Sequence, residues 1–204
     1  MFIKLLFQDP RTFSAILLIV VLSVCVHEFM HAYIALKNGD PTAADHGHLT
    51  LNPFKQMGLW SLITFCLIGI AWGQVPVNRA NLRSRKARLA VDFAGVAANL
   101  ILSAIFLVLL VLVCKIASNE EFAQGILFFG ASINLVLFVI NLFPVPGFDG
   151  WNVLTEFRKP QVSSELVNGI FFIMVVILFF GINYIQTAAD ALITFLAYFL
   201  LELC

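Results

Sequence analysis

The chain has 204 residues, of which 61% are hydrophobic and only 12% are charged. Soluble globular domains carry about 25% charged and roughly 45–50% apolar residues, so a water-soluble fold of this size could not bury so much apolar surface. Twelve basic and twelve acidic side chains cancel, which excludes the bulk positive charge of a typical nucleic-acid-binding protein. The composition therefore predicts an integral membrane protein.

Five apolar segments are long enough to cross a bilayer, which takes about 20 mostly apolar residues in a helix. In chain order they are Thr12–Leu36, Leu89–Cys114, Phe122–Phe143, Leu166–Asn183 and Ile185–Leu203. The first is too long for a signal peptide, lacks a small-residue cleavage site and carries ionisable residues in its middle. The last two are separated by a brief polar break, so we expect two helices there.

A sixth apolar segment, Leu59–Trp72, is shorter than the others. Its length of about 14 residues suits a re-entrant or buried segment as well as a span. Between the helices, residues 48–53 and 74–78 alternate weakly in polarity and could form short strands near the membrane surface.

The predicted fold is an all-α polytopic membrane protein with about five transmembrane helices, one short or re-entrant apolar segment and room for a small β element. No internal repeat, low-complexity tract or linker divides the sequence. We therefore expect a single membrane domain over residues 1–204, with a core at 12–155 and C-terminal helices at 166–203.

The strongest chemical signal lies inside the first apolar segment, where residues 27–31 read His-Glu-Phe-Met-His, an H-E-x-x-H motif. Histidines four residues apart share one face of a helix, so His27 and His31 can bind one metal ion. Glu28 follows the first ligand and can act as general base toward an attacking water. Ionisable residues in a membrane span are functional candidates by default. The alternative, a hydrogen-bonded polar cluster that joins helices, does not require this spacing.

A catalytic zinc usually has three protein ligands and one open position, so two histidines need a third donor. Asp149 is the best candidate, because it follows an apolar helix on an irregular turn, within residues 141–150, that contains two prolines and two glycines. Irregular backbone at membrane depth is tolerated where it is buried in protein or lines a watery cavity. On spacing alone, an ordinary loop aspartate in a Phe-Asp-Gly turn is about as good an interpretation.

Several segments complete a pattern that covers roughly residues 20–155. They are His-Glu-Phe-Met-His at 27–31, Gly-Asp-Pro-Thr at 39–42, Leu-Thr-Leu-Asn-Pro at 49–53, Pro-Val-Asn at 76–78 and Asn-x-x-Pro-x-Pro-x-x-Asp-Gly at 141–150. This combination resembles the site-two-protease family of intramembrane zinc metalloproteases, and in particular its compact bacterial members without accessory domains. The combination is far more specific than any one of its pieces.

The resemblance implies one zinc ion per chain, held by His27, His31 and Asp149, with Glu28 as the catalytic base. The implied activity is hydrolysis of peptide bonds within or near the transmembrane segments of membrane-protein substrates. The expected partners are such transmembrane proteins and the lipid bilayer, with no nucleic acid, and the oligomeric state is left open. The family's usual Leu-Asp-Gly is Phe-Asp-Gly here, a change that removes no ligand.

The resemblance also implies roles for two asparagines. The family carries a Gly-x-x-x-Asn element on the next helix, matched here by Gly95 and Asn99, whose asparagine is a candidate for holding substrate or the oxyanion near the metal. Asn141 is a candidate for a related role. The family's Gly-Pro is Gly95-Val96 here, and without the resemblance Asn99 would more often join helices by a hydrogen bond.

The loop at residues 79–88 bears on orientation, because it carries five basic side chains. The positive-inside rule places this loop in the cytoplasm, and the same side chains could contact anionic headgroups. Asp149 follows the cytoplasmic end of its helix, and the two histidines lie in the second half of theirs. We therefore expect a bacterial inner-membrane protein with its active site nearer the cytoplasmic face, an external N-terminus and a re-entrant Leu59–Trp72.

Two other classes of function fit part of the pattern. A metal transporter also places histidine and aspartate in spans, but it needs ligands along a path and no glutamate base. A catalytically silent scaffold or pseudoprotease would be indicated by loss of a catalytic residue. All four such residues are present, namely His27, Glu28, His31 and Asp149. The sequence therefore favours a protease, followed by the scaffold and then the transporter.

Overall fold

The computed structural model of the chain describes residues 2–158 and 163–202, and over these residues the regular structure is helical, without a strand. The helices are α1 Ile3–Gln8, α2 Pro10–Lys37, α3 Thr42–Asp45, α4 Pro53–Gln56, α5 Gly58–Ile68, α6 Arg85–Ile116, α7 Glu121–Asn141, α8 Asp149–Phe157 and α9 Ser164–Glu202.

The two short strands suggested by the loops at 48–53 and 74–78 are not present. The first loop ends where Asn52 caps α4, its side-chain oxygen accepting a hydrogen bond from the Phe54 amide at 2.9 Å. In the second, the Gln74 amide donates to the carbonyl of Gln56, and the Asn78 amide donates to the Asp40 carboxylate. These backbone amides are satisfied by two side chains and by the carbonyl of the last residue of α4, so they need no partner strand.

Among residues 2–158 and 163–202, four helical stretches are long and apolar enough to cross a membrane, namely Pro10–Lys37, Arg85–Ile116, Glu121–Asn141 and Phe180–Glu202. The first three confirm predicted spans within a few residues. The predicted break between the last two is wrong, because α9 continues through Asn183 and Tyr184 without interruption. Neither residue is a proline, and in lipid a helix is favoured because it satisfies its own backbone groups. The last residue of the predicted C-terminal helices, Leu203, lies outside the described residues.

The short apolar segment contains α5, which has 11 residues. At 1.5 Å per residue it is about 16 Å long, roughly half of the 30 Å hydrocarbon core, so α5 by itself cannot cross the bilayer. The helix ends at Gly69, whose φ of +86° forms a left-handed cap. The chain then continues without regular structure to residue 78. Re-entry of this segment stays a prediction.

The chain divides into two compact units, Met1–Asn99 and Leu100–Cys204, and the boundary falls within α6. The first unit has a small buried cluster that joins the end of α2 to the start of α6, formed by Ala35, Leu82, Ala87 and Val91. The second unit has a buried cluster that joins α6, α7 and α9, formed by Leu107, Val111, Ala131 and Ile193.

The turn after α2 is organised by the fully buried side chain of Asp40. Its Oδ1 accepts hydrogen bonds from the Thr42 amide at 3.1 Å and from Nδ2 of Asn81 at 2.8 Å. Its Oδ2 accepts from the Asn78 amide at 2.7 Å. Gly39 makes the turn possible with a φ of +97°. One carboxylate thus ties the end of α2 to the segment that leads into α6.

Candidate metal centre

The H-E-x-x-H motif lies in the second half of α2 and is buried. The exposed fractions of His27, Glu28 and His31 are 7%, 8% and 7%. Nε2 of His27 lies 3.0 Å from Nε2 of His31, which confirms that the two imidazoles share one face of the helix.

The hydrogen bonds of the two rings fix which nitrogen faces the other ring. Nδ1 of His27 lies 2.6 Å from Oδ1 of Asn99, and Nδ1 of His31 lies 2.7 Å from the carbonyl oxygen of Val91. Amide and carbonyl oxygens only accept hydrogen bonds, so in the neutral form of each ring Nδ1 carries the proton and Nε2 presents a lone pair.

Two lone pairs that face each other at this distance repel unless a cation lies between them. With Zn–N bonds of about 2.0–2.1 Å, tetrahedral geometry separates two ligand nitrogens by about 3.4 Å, close to the observed separation. Hydrogen bonds from the remote ring nitrogen to oxygen acceptors are also the usual support of metal-ligating histidines. The residues present therefore fit a zinc ion.

Gly95 keeps the space beside the two ring nitrogens open. A Cβ built on Gly95 would overlap Nε2 of His31 and lie 2.5 Å from Nε2 of His27, so any side chain there would fill the region into which both lone pairs point. Gly95 and Asn99 are four residues apart in α6 and lie on the same helix face. The Gly-x-x-x-Asn element thus leaves space beside both Nε2 atoms and orients the His27 ring.

Glu28 packs against the main chain of Gly73, in the irregular segment after α5. A Cβ on Gly73 would lie 2.7 Å from the carboxyl carbon of Glu28 and still closer to Cγ and Oε1. The buried Ser61 hydroxyl holds this segment, since it donates to the Trp72 carbonyl at 2.6 Å and accepts from the Trp72 amide at 2.9 Å. The Gln74 amide is bonded to the carbonyl of Gln56 at 2.9 Å, so the chain is anchored on both sides of the glycine.

Asp149 lies in the second unit, as the first residue of α8. A Cβ on the next residue, Gly150, would overlap the carbonyl groups of Leu142 and Phe143, so the first turn of α8 packs directly on the end of α7. Gly147, with a φ of +97°, allows the turn between them. The irregular turn therefore holds the half-buried Asp149 at a defined position within its own unit.

The two asparagine candidates differ in their contacts. Asn99 is fully buried and bonded to a histidine, as described above. Asn141 is half-buried, and its Nδ2 donates to the Leu137 carbonyl of its own helix at 2.9 Å. A role of either side chain in holding substrate or the oxyanion stays a prediction.

Three contributors to this site were not found from the sequence. The Val91 carbonyl acts through the main chain, which leaves no mark in the residue type. Gly73 and Ser61 lie outside every motif, and the only signal was a glycine between two polar or aromatic residues in a short loop. Such a glycine indicates that another group packs closely against the backbone, but it does not identify that group.

Comparisons with known proteins agree with this chemistry. The family model of peptidase family M50 matches residues 15–122. "Putative zinc metalloprotease YwhC" of Bacillus subtilis is 35% identical over 170 residues, which are 80% of this chain and 78% of the relative. "Putative zinc metalloprotease Rip2" of Mycolicibacterium smegmatis is 33% identical over 168 residues, 77% of this chain and 64% of the relative. Rip2 of Mycobacterium tuberculosis is 29% identical over 198 residues, 86% of this chain and 75% of the relative. No solved structure matches the chain significantly.

Proposed function

Because this chain belongs to peptidase family M50, the site-two-protease family, we propose that it is an intramembrane zinc metalloprotease that hydrolyses peptide bonds within or near transmembrane segments of other proteins. It is an integral membrane protein, and the part of the chain that the structure describes has four helical stretches suited to crossing a bilayer. The observation that carries the proposal is the buried pair of Nε2 atoms 3.0 Å apart, with both Nδ1 atoms bonded to oxygens.

The ligand set of the proposed site is His27, His31 and Asp149, with one zinc ion per chain. Each of these residues offers one nitrogen or carboxylate oxygen of a type that zinc accepts. Two histidines and a carboxylate leave the fourth position of a tetrahedral site open, as catalytic zinc sites require. When bound, zinc would lower the pKa of a water molecule toward about 7 and polarise the substrate carbonyl.

Glu28 would act as the general base and acid of the reaction. Its carboxylate accepts a proton from the attacking water as the water oxygen bonds to the carbonyl carbon of the peptide. The same proton then passes to the amide nitrogen as the C–N bond breaks, so that a free amine and a carboxylic acid leave. Contact with the Gly73 main chain restricts the side chain of Glu28 during both transfers.

The substrate would be a transmembrane helix that unwinds locally at the site. Its backbone amides are internally hydrogen-bonded while it is helical, so a peptide carbonyl is accessible only where the helix opens. Helix-breaking residues near the cleavage site should therefore favour hydrolysis. The location that fits the basic loop at 79–88 is a bacterial inner membrane, with the site nearer its cytoplasmic face.

The test compares wild type with Glu28→Gln in liposomes, on a panel of transmembrane substrates, with zinc content measured in parallel. Glu165→Gln is a matched control, because Glu165 is exposed and lies at the start of α9. We expect wild type and the control to cleave and a chelator to stop them, while Glu28→Gln retains zinc and is inert.

The other possible outcomes would contradict part or all of the proposed function. Zinc bound by all three proteins without cleavage of any substrate would favour a helix-binding scaffold. Cleavage by Glu28→Gln at the wild-type rate would remove Glu28 from the mechanism. Absence of zinc from the wild-type protein would overturn the proposed function.

A further inference from the structure

A polar cavity of about 630 Å³ lies in the first unit, between the end of α2 and the start of α6. Its polar lining comes from Lys37 and Asn38 at the end of α2 and from Asn81, Arg83 and Ser84 before α6. Among the described residues no acidic side chain lines it. The cavity lies outside the H-E-x-x-H site and shares no residue with it.

The two cations of this cavity are not neutralised by neighbouring carboxylates. Lys37 and Arg83 have no ion pair in the described parts of the chain. The nearby Arg79 is paired with Asp92 by two hydrogen bonds, at 2.7 and 2.9 Å. Asp40 is fully buried and saturated by its own donors. The ammonium of Lys37 lies 5.4 Å from the centre of the Tyr33 ring, a contact that leaves its N–H groups available.

The uncharged groups of the lining can donate hydrogen bonds. The Ser84 oxygen accepts from the Ala87 amide at 3.0 Å, which leaves its O–H free to donate. Asn38 and Asn81 each use one amide N–H internally, toward the Ile34 carbonyl and the Asp40 carboxylate, and each amide group has a second N–H. Two cations and several donors around one space are suited to a phosphoryl group, which offers negative charge and several acceptor oxygens.

The position of the cavity indicates the source of that phosphoryl group. α2 and α6 are both long and apolar enough to cross a membrane, and the buried cluster of Ala35, Leu82, Ala87 and Val91 lies at the same ends of these helices. Helix ends that carry basic residues lie at the level of the lipid headgroups. The volume also suits a small organic group better than a single ion.

We propose that this cavity binds the phosphoryl headgroup of an anionic glycerophospholipid, held by Lys37 and Arg83. Anionic lipids are concentrated in the cytoplasmic leaflet, and basic side chains attract them there. Inorganic phosphate has the same chemistry without the acyl chains, so it is the competing source.

The experiment uses the full chain in detergent and measures binding of short-chain phosphatidylglycerol, phosphatidylcholine of the same chain length, and inorganic phosphate. The test variant is Lys37→Gln/Arg83→Gln. The matched control is Lys55→Gln/Lys86→Gln, which removes the same charge from exposed residues that do not line the cavity. Zinc content, measured on each protein, verifies that the histidine site is folded.

We expect saturable binding of phosphatidylglycerol to wild type and to the control, and an affinity on the order of 30-fold lower in the test variant. Phosphatidylcholine and inorganic phosphate should bind much more weakly. Equal losses in the two double variants would show general surface attraction and overturn the site. Phosphate bound as tightly as the lipid would overturn the lipid as the source, and no saturable binding of any probe would overturn the proposal.

Discussion

Oδ1 of Asn99 lies 2.6 Å from Nδ1 of His27, although 72 residues separate them in the chain. The contact joins α6 to α2 at a fully buried asparagine, so it fixes both the tautomer and the orientation of the imidazole. Asn99 therefore acts as a positioning residue for a proposed zinc ligand. This contact also accounts for the four-residue spacing to Gly95, which brings the asparagine and the open space onto one helix face.

Replacing Asn99 by leucine should weaken zinc binding about 10- to 100-fold. Loss of the hydrogen bond to the second ring nitrogen of a metal-ligating histidine typically lowers metal affinity by that factor. Asn99→Asp keeps an oxygen acceptor and should recover most of the affinity. Ser103→Ala, one turn further along α6, removes a 2.7 Å hydrogen bond to the Ala131 carbonyl and should leave zinc affinity unchanged. Competition with a chelator measures all three, and unchanged affinity in Asn99→Leu would contradict the positioning role.

Gly95→Ala should abolish zinc binding, because the new methyl group fills the space beside both Nε2 atoms. A helix interior otherwise gains stability from this substitution, so loss of the metal cannot be attributed to helix propensity. Gly125→Ala in α7 is the matched control, since a Cβ there meets nothing within 4 Å. Metal content after purification in zinc is the measurement, and a full complement of zinc in Gly95→Ala would be incompatible with the proposed position of the ion.

Gly73→Ala should affect catalysis and spare the metal. Its Cβ would displace the Glu28 side chain, and a misplacement of about 1 Å can cost on the order of 10²-fold in rate. Zinc affinity should remain near wild type, because Gly73 has no contact with either histidine ring among its nearest neighbours. Single-turnover cleavage and zinc titration on the same preparation separate the two effects. A parallel loss of zinc would show that Gly73 supports the whole site.

The arrangement of the candidate site residues was predictable where the signal was local. H-E-x-x-H lies within one helical turn, so its spacing alone predicted that His27 and His31 share a face, and their Nε2 separation confirms it. The first three predicted spans followed from apolar length in the same way. The support of the site was not predictable, because Val91 and Gly73 act through main-chain atoms that tertiary packing brings to α2.

The wrong prediction at residues 183–185 has a different cause. Polarity was used there as a sign of a helix end, but a polar residue in lipid costs less in a helix, where its backbone is already hydrogen-bonded, than in an open loop. α9 therefore continues past Asn183. A proline would have been the stronger signal, because it removes a backbone donor and clashes with the preceding turn.

Asp190 marks a polar contact between α7 and α9 that no sequence motif indicated. Its carboxylate accepts a hydrogen bond from the buried Ser132 hydroxyl, and Nε2 of Gln186 donates to Ser132 at 2.7 Å and to Asp190 at 2.9 Å. Asp190→Ala should lower the free energy of unfolding by about 1 kcal/mol, the usual scale for hydrogen bonds between membrane helices. Thr187→Ala, which removes only a bond within α9, should change it little. Unfolding of both variants in denaturing detergent is the measurement, and equal stability of the two would contradict an interhelical role.

Asp40 should make the stability of the protein depend on pH. Burial alone would raise the pKa of its carboxyl group, but hydrogen bonds from Thr42, Asn81 and Asn78 together lower the pKa below its ordinary value of 3.8. A group whose pKa is lower in the folded state stabilises the fold above its unfolded pKa, and this contribution is lost as the pH falls through the folded value.

At pH 7, Asp40→Asn should therefore lower the free energy of unfolding by about 2 kcal/mol, since hydrogen bonds to a charged group are exchanged for those of a neutral amide. The difference from wild type should shrink as the pH falls below the unfolded pKa of 3.8. Both proteins are compared without zinc, so that protonation of the histidines does not contribute through metal release. Asp45→Asn, at the exposed end of α3, removes the same charge from the surface and is the control. A difference that stays constant from pH 7 to pH 3 would mean that the Asp40 charge does not tie the end of α2 to the segment that leads into α6.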